Sequence, residues 1–159
     1  MPDISNADAV EELSGHPFFA GFPAEDLEKL AGCVRGTTSF ESDAVIFRAG
    51  NEAKRCFLIR QGEVALEVHS PGAGSRIVQT VARGEVLGWS WLFPPYRWAF
   101  DARVLTPAEV FVLDGRELRA CMEEDHDLGY LMMSRFAGLI AARLQATRLQ
   151  LLDLYASRN

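Results

Sequence analysis

A chain of 159 residues, 48% apolar and 24% charged, has the size and composition of one ordinary globular domain. Its 16 basic and 22 acidic side chains give a net charge of −6, which argues against general affinity for nucleic acid because phosphate contacts need surplus Lys and Arg. No apolar stretch reaches the length of a bilayer span, and the first residues lack the basic and apolar regions of a signal peptide. We therefore expect a cytoplasmic protein that contacts neither membrane nor nucleic acid directly.

The cysteines and histidines are dispersed along the chain. The cysteines are odd in number, lack C-x-x-C spacing and stand at Cys33, Cys56 and Cys121. The histidines lie in unrelated local contexts, at His16, His69 and His126. This distribution predicts no disulfide framework, no metal site and no resident cofactor, with the cysteines reduced and packed in the interior. No nucleophile and base stand at catalytic spacing either, so we predict no enzymatic activity.

The pattern of apolar residues changes from helical to extended near Thr37. Residues 7–35 have a helical pattern, in which Pro23 followed by acidic residues is a favourable helix start. From Thr37, eight short runs rich in β-branched and aromatic residues alternate with glycine or proline, at 37–41, 44–48, 56–60, 64–68, 76–81, 86–90, 99–105 and 110–113. Such punctuation is typical of a closed roll, which leaves few exposed edges.

Two helices are predicted after the last strand. A short one covers 116–122, and a long one begins near Asp127. Alternating spacings of four and three residues along the long helix are typical of a coiled-coil seam, formed by Met133, Ala137, Ile140, Leu144, Thr147, Leu151 and Leu154. A second apolar face carries Leu128, Leu131, Phe136 and Leu139. We expect one face to pack on the roll and the seam to form a homodimer, the alternative being that both faces are buried within one monomer.

The predicted architecture is mainly β with flanking helices (α+β). It is one domain over 1–159, with N-terminal helices in 1–36, an eight-stranded antiparallel jelly roll in 37–114, and C-terminal helices in 115–159 that include a dimerisation helix.

The segment 84–99 has the composition of an anion-binding loop. Gly84 and Gly88 allow tight turns and close approach of backbone amides to a ligand, and Arg97 adds a planar charged donor. Backbone amides opposed by a guanidinium are a common way to hold a phosphate. The alternative is that Gly88 is a simple bend and Arg97 a solvated side chain.

Taken together, the helical start, the glycine-punctuated roll, the arginine-bearing loop and the long last helix resemble the cyclic-nucleotide-binding domain. The resemblance covers about residues 13–155, including the pattern His16-Pro17-Phe18-Phe19 with Leu27 and Leu30. At 142–147 the chain looks most like the sensory half of bacterial regulators of the catabolite-activator and fumarate-nitrate-regulator type. In those proteins a helix-turn-helix domain follows the long helix, whereas this sequence ends at Asn159, so we expect no DNA reading from it.

The family's phosphate-binding cassette implies a ligand site made of Gly88, Trp89, Ser90, Trp91, Leu92, Arg97, Trp98 and Ala99, with Thr147 added from the long helix. Gly88, Leu92, Arg97 and Ala99 match the family pattern. Trp89 replaces the glutamate that accepts a hydrogen bond from the ribose, and an indole is a donor only. Loss of such a charged hydrogen bond costs about 1.5–3 kcal/mol. Trp98 replaces a small residue beside the arginine.

The tryptophans and Thr147 each allow two interpretations. Trp89, Trp91 and Trp98 either line a flat aromatic pocket for a planar acidic ligand or fill the core. In the regulators the threonine matching Thr147 contacts the purine from the dimer seam; alternatively it tunes helix pairing. The neighbouring Arg148 departs from the small hydroxyl residue of the catabolite-activator type.

Two functions follow from this reading. The first is a stand-alone sensor that binds a small anionic ligand, cAMP, cGMP or a different one, and signals through its dimer helix to a protein partner that the sequence does not identify. The second is a degenerate structural or adaptor dimer of the same fold, whose pocket is filled by its own tryptophans.

Overall fold

A computed structural model of the chain describes residues 4–157. The chain divides into two compact units, one ending at Cys121 and the other starting at Met122. Among the described residues no helix combines the length and apolarity that a membrane span requires.

The first unit begins with helices α1 (Asn6–Gly15) and α2 (Ala24–Ala31), separated by a 3₁₀ turn over Pro17–Phe19. Ser5 caps α1 by accepting a hydrogen bond from the Asp8 amide at 3.2 Å. Acidic residues occupy the first turn of α2, where they complement the helix dipole. The predicted N-terminal helices are confirmed, but the helical pattern ends at Ala31 and not at residue 35, because residues from Val34 onward pair in the sheet.

The sheet consists of β1 (Val34–Phe40), β2 (Val45–Phe47), β3 (Arg55–Ser70), β4 (Gly74–Ala82) and β5 (Asp101–Asp114). All its pairings are antiparallel, in the order β1-β5-β3-β4, with β2 also paired to β5. The predicted mainly β fold with flanking helices is therefore confirmed. The strand count is lower than eight because pairs of predicted runs merge into the long strands β3 and β5, and because 86–90 is a loop in which Val86 makes only an isolated bridge to Leu58.

Gly62 explains how two predicted runs become one strand. Its φ of +88° lies in the left-handed region, and a Cβ there would stand 2.4 Å from the Pro107 carbonyl oxygen. The pairing of β3 with β5 shifts register on both sides of Gly62, the signature of β-bulges. The glycine therefore bends β3 sharply without ending it.

The interior of the first unit is largely apolar and includes the carboxylate of Glu67. Val64, Leu58 and Leu113 are completely buried, and Glu67 is nearly so. Glu67 accepts a hydrogen bond from Arg103 Nε, and Arg103 also reaches Asp43 at 2.9 Å. The Glu67 carboxylate raises the pKa of Arg103, so the buried charge is neutralised by a partner that keeps its own charge.

Two helices follow the sheet: α3 (Gly115–Glu124), whose last residues belong to the second unit, and α4 (His126–Ala156). Both predicted C-terminal helices are confirmed. With 31 residues α4 is about 46 Å long. Its N-terminus is capped by Asp125, which accepts from the Leu128 amide at 3.1 Å. Gly129 has the Met122 carbonyl 2.6 Å from the position of a Cβ, so the turn between the helices leaves no room for a side chain.

Burial along α4 is uneven. The buried side chains lie in its first half, at Leu128, Met132 and Phe136. Large apolar side chains are exposed mainly in its second half, at Leu144, Leu149, Leu151, Leu152, Leu154 and Tyr155.

Candidate functional site

The segment 84–99 connects β4 to β5 without regular secondary structure. Its start is fixed to β3 by backbone hydrogen bonds: the Gly84 amide donates to Ile59 at 3.0 Å, the Ile59 amide to Glu85 at 3.0 Å, and the Leu87 amide to Phe57 at 2.9 Å. Two tight turns follow, closed by the Leu92 and Tyr96 amides. The predicted anion loop is thus an irregular loop whose first residues are hydrogen-bonded to β3.

Trp98 lies over the cassette glycine. Gly88 has a φ of +80°, and a Cβ there would be 3.1 Å from the Trp98 ring. The indole is 5% exposed. It stacks on Phe47 with centroids 3.7 Å apart and planes within 7°, and a third ring, Phe57, lies 6.1 Å away. The side chain that replaces a small residue of the family pattern therefore covers the backbone that would approach a phosphate.

A second loop, residues 49–53, holds Trp98 in this position. The Gly50 amide donates to the Trp98 carbonyl at 2.8 Å, and the Trp98 amide donates to Asn51 at 3.0 Å. The Ala53 amide donates to Tyr96 at 2.7 Å. Both backbone groups of Trp98 are thus paired, which leaves the residue little freedom to turn outward.

Arg97 is exposed, in contrast to the buried Trp98 beside it. Its Nη1 donates to the Gly50 carbonyl oxygen at 2.9 Å. Within residues 4–157 no carboxylate forms an ion pair with its guanidinium. The cation is therefore satisfied in part by one neutral acceptor and keeps donors available to solvent.

Trp91 belongs to the core. It is completely buried, and its Cβ lies 3.0 Å from the position of a Cβ on Gly115. Its carbonyl accepts a hydrogen bond from Arg119 Nη1, and the Arg119 guanidinium also stacks 4.1 Å above the Tyr96 ring. Arg119 joins both turns of the segment to α3. The role of Arg119 was not predicted, because a single arginine on a helix gives no local indication of which residues it contacts.

The other predicted site residues differ in environment. Trp89 and Ser90 are half-buried, Leu92 is buried and Ala99 is exposed. Thr147 lies in the second unit, exposed on α4, and its hydroxyl donates to the Arg143 carbonyl of its own helix at 3.0 Å. The structure brings Gly88 and Trp98 together, while Arg97 lies on the outer side of the same loop.

A groove of about 1080 Å³ lies elsewhere in the first unit, between α1 and the bend of β3. It is lined by charges of both signs. Arg60 in its wall is ion-paired with Glu12 at 3.1 Å and with Glu109 at 2.9 Å. Because these carboxylates already neutralise Arg60, the groove does not have the charge of an anion site. Among the described residues no group of three His, Cys, Asp or Glu side chains is arranged to hold a metal ion.

The imidazole of His16, at the edge of this groove, is uncharged because one of its nitrogens accepts a hydrogen bond. Its Nδ1 accepts from the Phe18 amide at 3.2 Å, which requires an unprotonated nitrogen. Burial lowers the pKa of His16, an effect partly opposed by the nearby Ile59 backbone. Its role is to cap the 3₁₀ turn over Pro17–Phe19.

Comparison with known proteins identifies the fold. The family model described as cyclic nucleotide-binding domain matches residues 37–125. A structure of a Geobacter metallireducens protein classed as cyclic-nucleotide-binding is 31% identical, with a TM-score of 0.76 over 86% of this chain and 98% of that one. The catabolite activator protein of Thermus thermophilus is 23% identical, with a TM-score of 0.68 over 88% of this chain and 63% of that one.

A third structure is the regulatory subunit of a cAMP-independent protein kinase A from Trypanosoma cruzi bound to guanosine, 19% identical, with a TM-score of 0.64 over 74% of this chain and 42% of that one. No curated protein gives a significant match to the sequence. The likenesses below 25% identity establish the fold alone. The family model and the Geobacter protein establish more: the chain belongs to the cyclic nucleotide-binding domain family.

Proposed function

We propose that this chain is a regulatory domain of the family in which Trp98 occupies the nucleotide's place, and that it acts as an adaptor which pairs through α4 without binding cAMP or cGMP. The observation that carries this proposal is the contact of the Trp98 ring with Gly88. In the family pattern this glycine begins the phosphate-binding cassette, so a ring lying on it excludes a phosphate from the same backbone.

The energy needed to displace Trp98 supports the proposal. A buried tryptophan removes about 150–250 Å² from water, and returning this area to solvent costs roughly 4–6 kcal/mol. The stack on Phe47 and both backbone hydrogen bonds of Trp98 add to this cost. A nucleotide would have to offset all of it with a cassette in which Trp89 replaces the ribose-binding glutamate. The net effect is a loss of cyclic-nucleotide affinity by more than about a thousandfold.

Calorimetry on the wild-type chain and two double variants tests this. The wild-type chain is expected to give no binding heat with cAMP or cGMP up to millimolar concentration. A Trp89→Glu/Trp98→Ser variant restores the family residues, and we expect it to bind cAMP. The matched control is Trp89→Gln/Trp98→Ser, which has the same opened space without the carboxylate and should bind at least tenfold more weakly. Binding of cAMP by the wild-type chain with a Kd below about 100 μM would overturn the proposal.

Ligand sensing is the second candidate, and the environment of Arg97 favours it. Its guanidinium is exposed and bonded to one neutral carbonyl, which a small anion could replace at little cost. The guanosine-bound Trypanosoma protein supports the idea that this fold can take a ligand other than a cyclic nucleotide. A thermal-shift screen of nucleosides and small carboxylic or phosphoric acids tests this candidate. A ligand that raises Tm for the wild-type chain, and not for Arg97→Ala, would place sensing ahead of the adaptor function.

The pairing surface that we propose is the seam of α4. Its large apolar members are open to solvent: Leu144 is 51% exposed, Leu151 50% and Leu154 62%. They follow the four-and-three spacing that allows two helices to interlock side chains. A second copy of the chain presents the same row, so a symmetric pair would cover both.

A further inference from the structure

Two cysteines that are 88 residues apart in sequence meet in the first unit. The Sγ atoms of Cys33 and Cys121 are 3.7 Å apart. Cys33 is buried, whereas Cys121 is partly exposed. The third cysteine, Cys56, is completely enclosed, and no thiol within the described part of the chain contacts it.

The backbone around Cys33 is held firmly. Its amide donates to Leu30 at 2.9 Å and its carbonyl accepts from Asp114 at 2.8 Å. The next residue, Val34, begins β1 and pairs with Leu113 of β5. Cys33 therefore stands at a fixed point between α2 and the sheet.

Cys121 is brought to this point by a second contact on the same helix face. Glu117 lies one turn earlier on α3, and it forms an ion pair with Arg35 of β1. Arg35 and Cys33 contact residues that are one turn apart on α3, so their side chains face the same side of that helix. The ion pair of Arg35 with Glu117 and the thiol contact of Cys33 with Cys121 together hold α3 against the start of β1.

We propose that Cys33 and Cys121 form an oxidation site, at which hydrogen peroxide converts the two thiols to an intramolecular disulfide that ties α3 to the start of β1. The sulfur atoms must close from 3.7 Å to about 2.05 Å, a movement within reach of side-chain rotation. This inference is independent of the cassette and of the function proposed for it.

The reaction balances with one peroxide. The thiolate of Cys121, the more accessible sulfur, attacks the peroxide O–O bond, forms a sulfenic acid and releases water after proton transfer. The Cys33 sulfur then attacks the sulfenic sulfur, the S–S bond forms, and the displaced hydroxide leaves as a second water with the proton of the Cys33 thiol. Two thiols lose two electrons, and the peroxide is reduced to two waters.

The order of attack follows from the surroundings of the sulfurs. Burial, reinforced by the neighbouring Cys121, raises the pKa of Cys33, which keeps it a thiol and makes it a poor first nucleophile. Burial also raises the pKa of Cys56, to about 12, and Cys56 has no thiol in contact to resolve a sulfenic acid. Cys56 therefore serves as an internal control in the same molecule.

The experiment treats the full chain with hydrogen peroxide and counts free thiols after denaturation. We expect the count to fall from three to one, the intact mass to fall by about 2 Da, and peptide mapping to place the disulfide between Cys33 and Cys121. Dithiothreitol should reverse the change. Because the disulfide closes a long loop, the oxidised protein should melt roughly 5–15 °C higher than the reduced protein.

Variants separate this outcome from general oxidation. Cys56→Ser should still lose two thiols, whereas Cys33→Ser and Cys121→Ser should form no intramolecular disulfide. The wild-type mapping stands even if a serine variant folds poorly. Three retained thiols, over-oxidation of Cys121 beside an intact Cys33 thiol, or a disulfide between two chains would each overturn the proposal.

Discussion

The cassette and the second half of α4 carry similar apolar content but bury it differently. Around the cassette, Trp91 is completely buried and Trp98 is 5% exposed. Along α4, Leu151 and Leu154 are 50% and 62% exposed. In the first region aromatic rings stack on one another and on a glycine, and in the second a row of leucines faces solvent.

This difference separates apolar surface that is already buried within the chain from apolar surface that is still exposed to solvent. Around the cassette, the stacked rings exclude water and the backbone groups of Trp98 are hydrogen-bonded within the chain. The apolar row of α4 remains exposed, which is the mark of a surface that a partner covers. The covered Gly88 and the exposed apolar row of α4 are the two observations behind the proposed adaptor function.

The largest loss of stability is expected when a buried ring is removed. Trp91→Ala leaves a cavity beside Gly115 and should lower the free energy of unfolding by about 3–5 kcal/mol. The half-buried Trp89 is the matched comparison, and Trp89→Ala should cost less than about 2 kcal/mol. Urea denaturation followed by circular dichroism measures both. Equal losses would mean that the two rings contribute alike to the core.

The seam of α4 is tested by charge. Leu151→Asp/Leu154→Asp should weaken self-association at least about a hundredfold, or roughly 2.7 kcal/mol, as measured by sedimentation equilibrium. The control is Leu149→Asp/Leu152→Asp, which places the same charges at equally exposed positions off the seam. A wild-type chain that sediments as a monomer, or a control that dissociates as readily, contradicts pairing through the seam.

His16 adds a pH dependence to the stability of the first unit. Since the pKa of His16 is lowered in the folded state, the unfolded chain binds the proton more tightly, and stability falls as pH drops below about 6.5. Protonation also removes the acceptor for the Phe18 amide, a loss on the scale of one helix cap, about 0.5–2 kcal/mol. Urea midpoints at pH 7.5 and 5.0 measure the change.

Two variants isolate the contribution of His16. His16→Asn keeps a capping oxygen without titrating in this range, and its midpoints should differ less between the two pH values than those of the wild type. The exposed His69 serves as the control, so His69→Gln should keep the wild-type dependence. An unchanged dependence in His16→Asn would assign the effect to other groups.

The smallest effect is expected at the exposed rim of the first unit. The ion pair of Arg35 and Glu117 has side chains 36% and 49% exposed. Glu117→Gln should therefore lower the free energy of unfolding by less than about 1 kcal/mol, and by less still at high salt. A thermal melt at low and high ionic strength measures this. A loss above about 2 kcal/mol would show that the pair fixes α3 more strongly than its exposure suggests.

Local patterns in the sequence predicted most of the elements. The helices after Asp114 and the extended runs after Thr37 were recognisable because side-chain periodicity reports which face is buried. The merging of runs into β3 and β5 was not predicted, since a glycine in a strand can signal either a turn or a bulge. Only the register around Gly62 decides between them.

The loop over 84–99 was recognisable in the sequence, whereas its contacts were not. The match of Gly88, Leu92, Arg97 and Ala99 located the segment, and the departures at Trp89 and Trp98 were visible in the sequence. Whether these rings line a pocket or fill it depends on Phe47 and Phe57, which come from strands far away in sequence. The contacts of Arg119 with Trp91 and Tyr96 were hidden for the same reason.

Local spacing was enough to predict the fold class, the family resemblance and the apolar row of α4. Spacings of a few residues specify which face of a helix or strand is apolar. Tertiary structure decided that Trp98 lies on Gly88, that Arg97 bonds to Gly50, and that Cys33 meets Cys121. These contacts join residues from 10 to 88 positions apart. Their formation depends on how strands and helices pack, which no short pattern encodes.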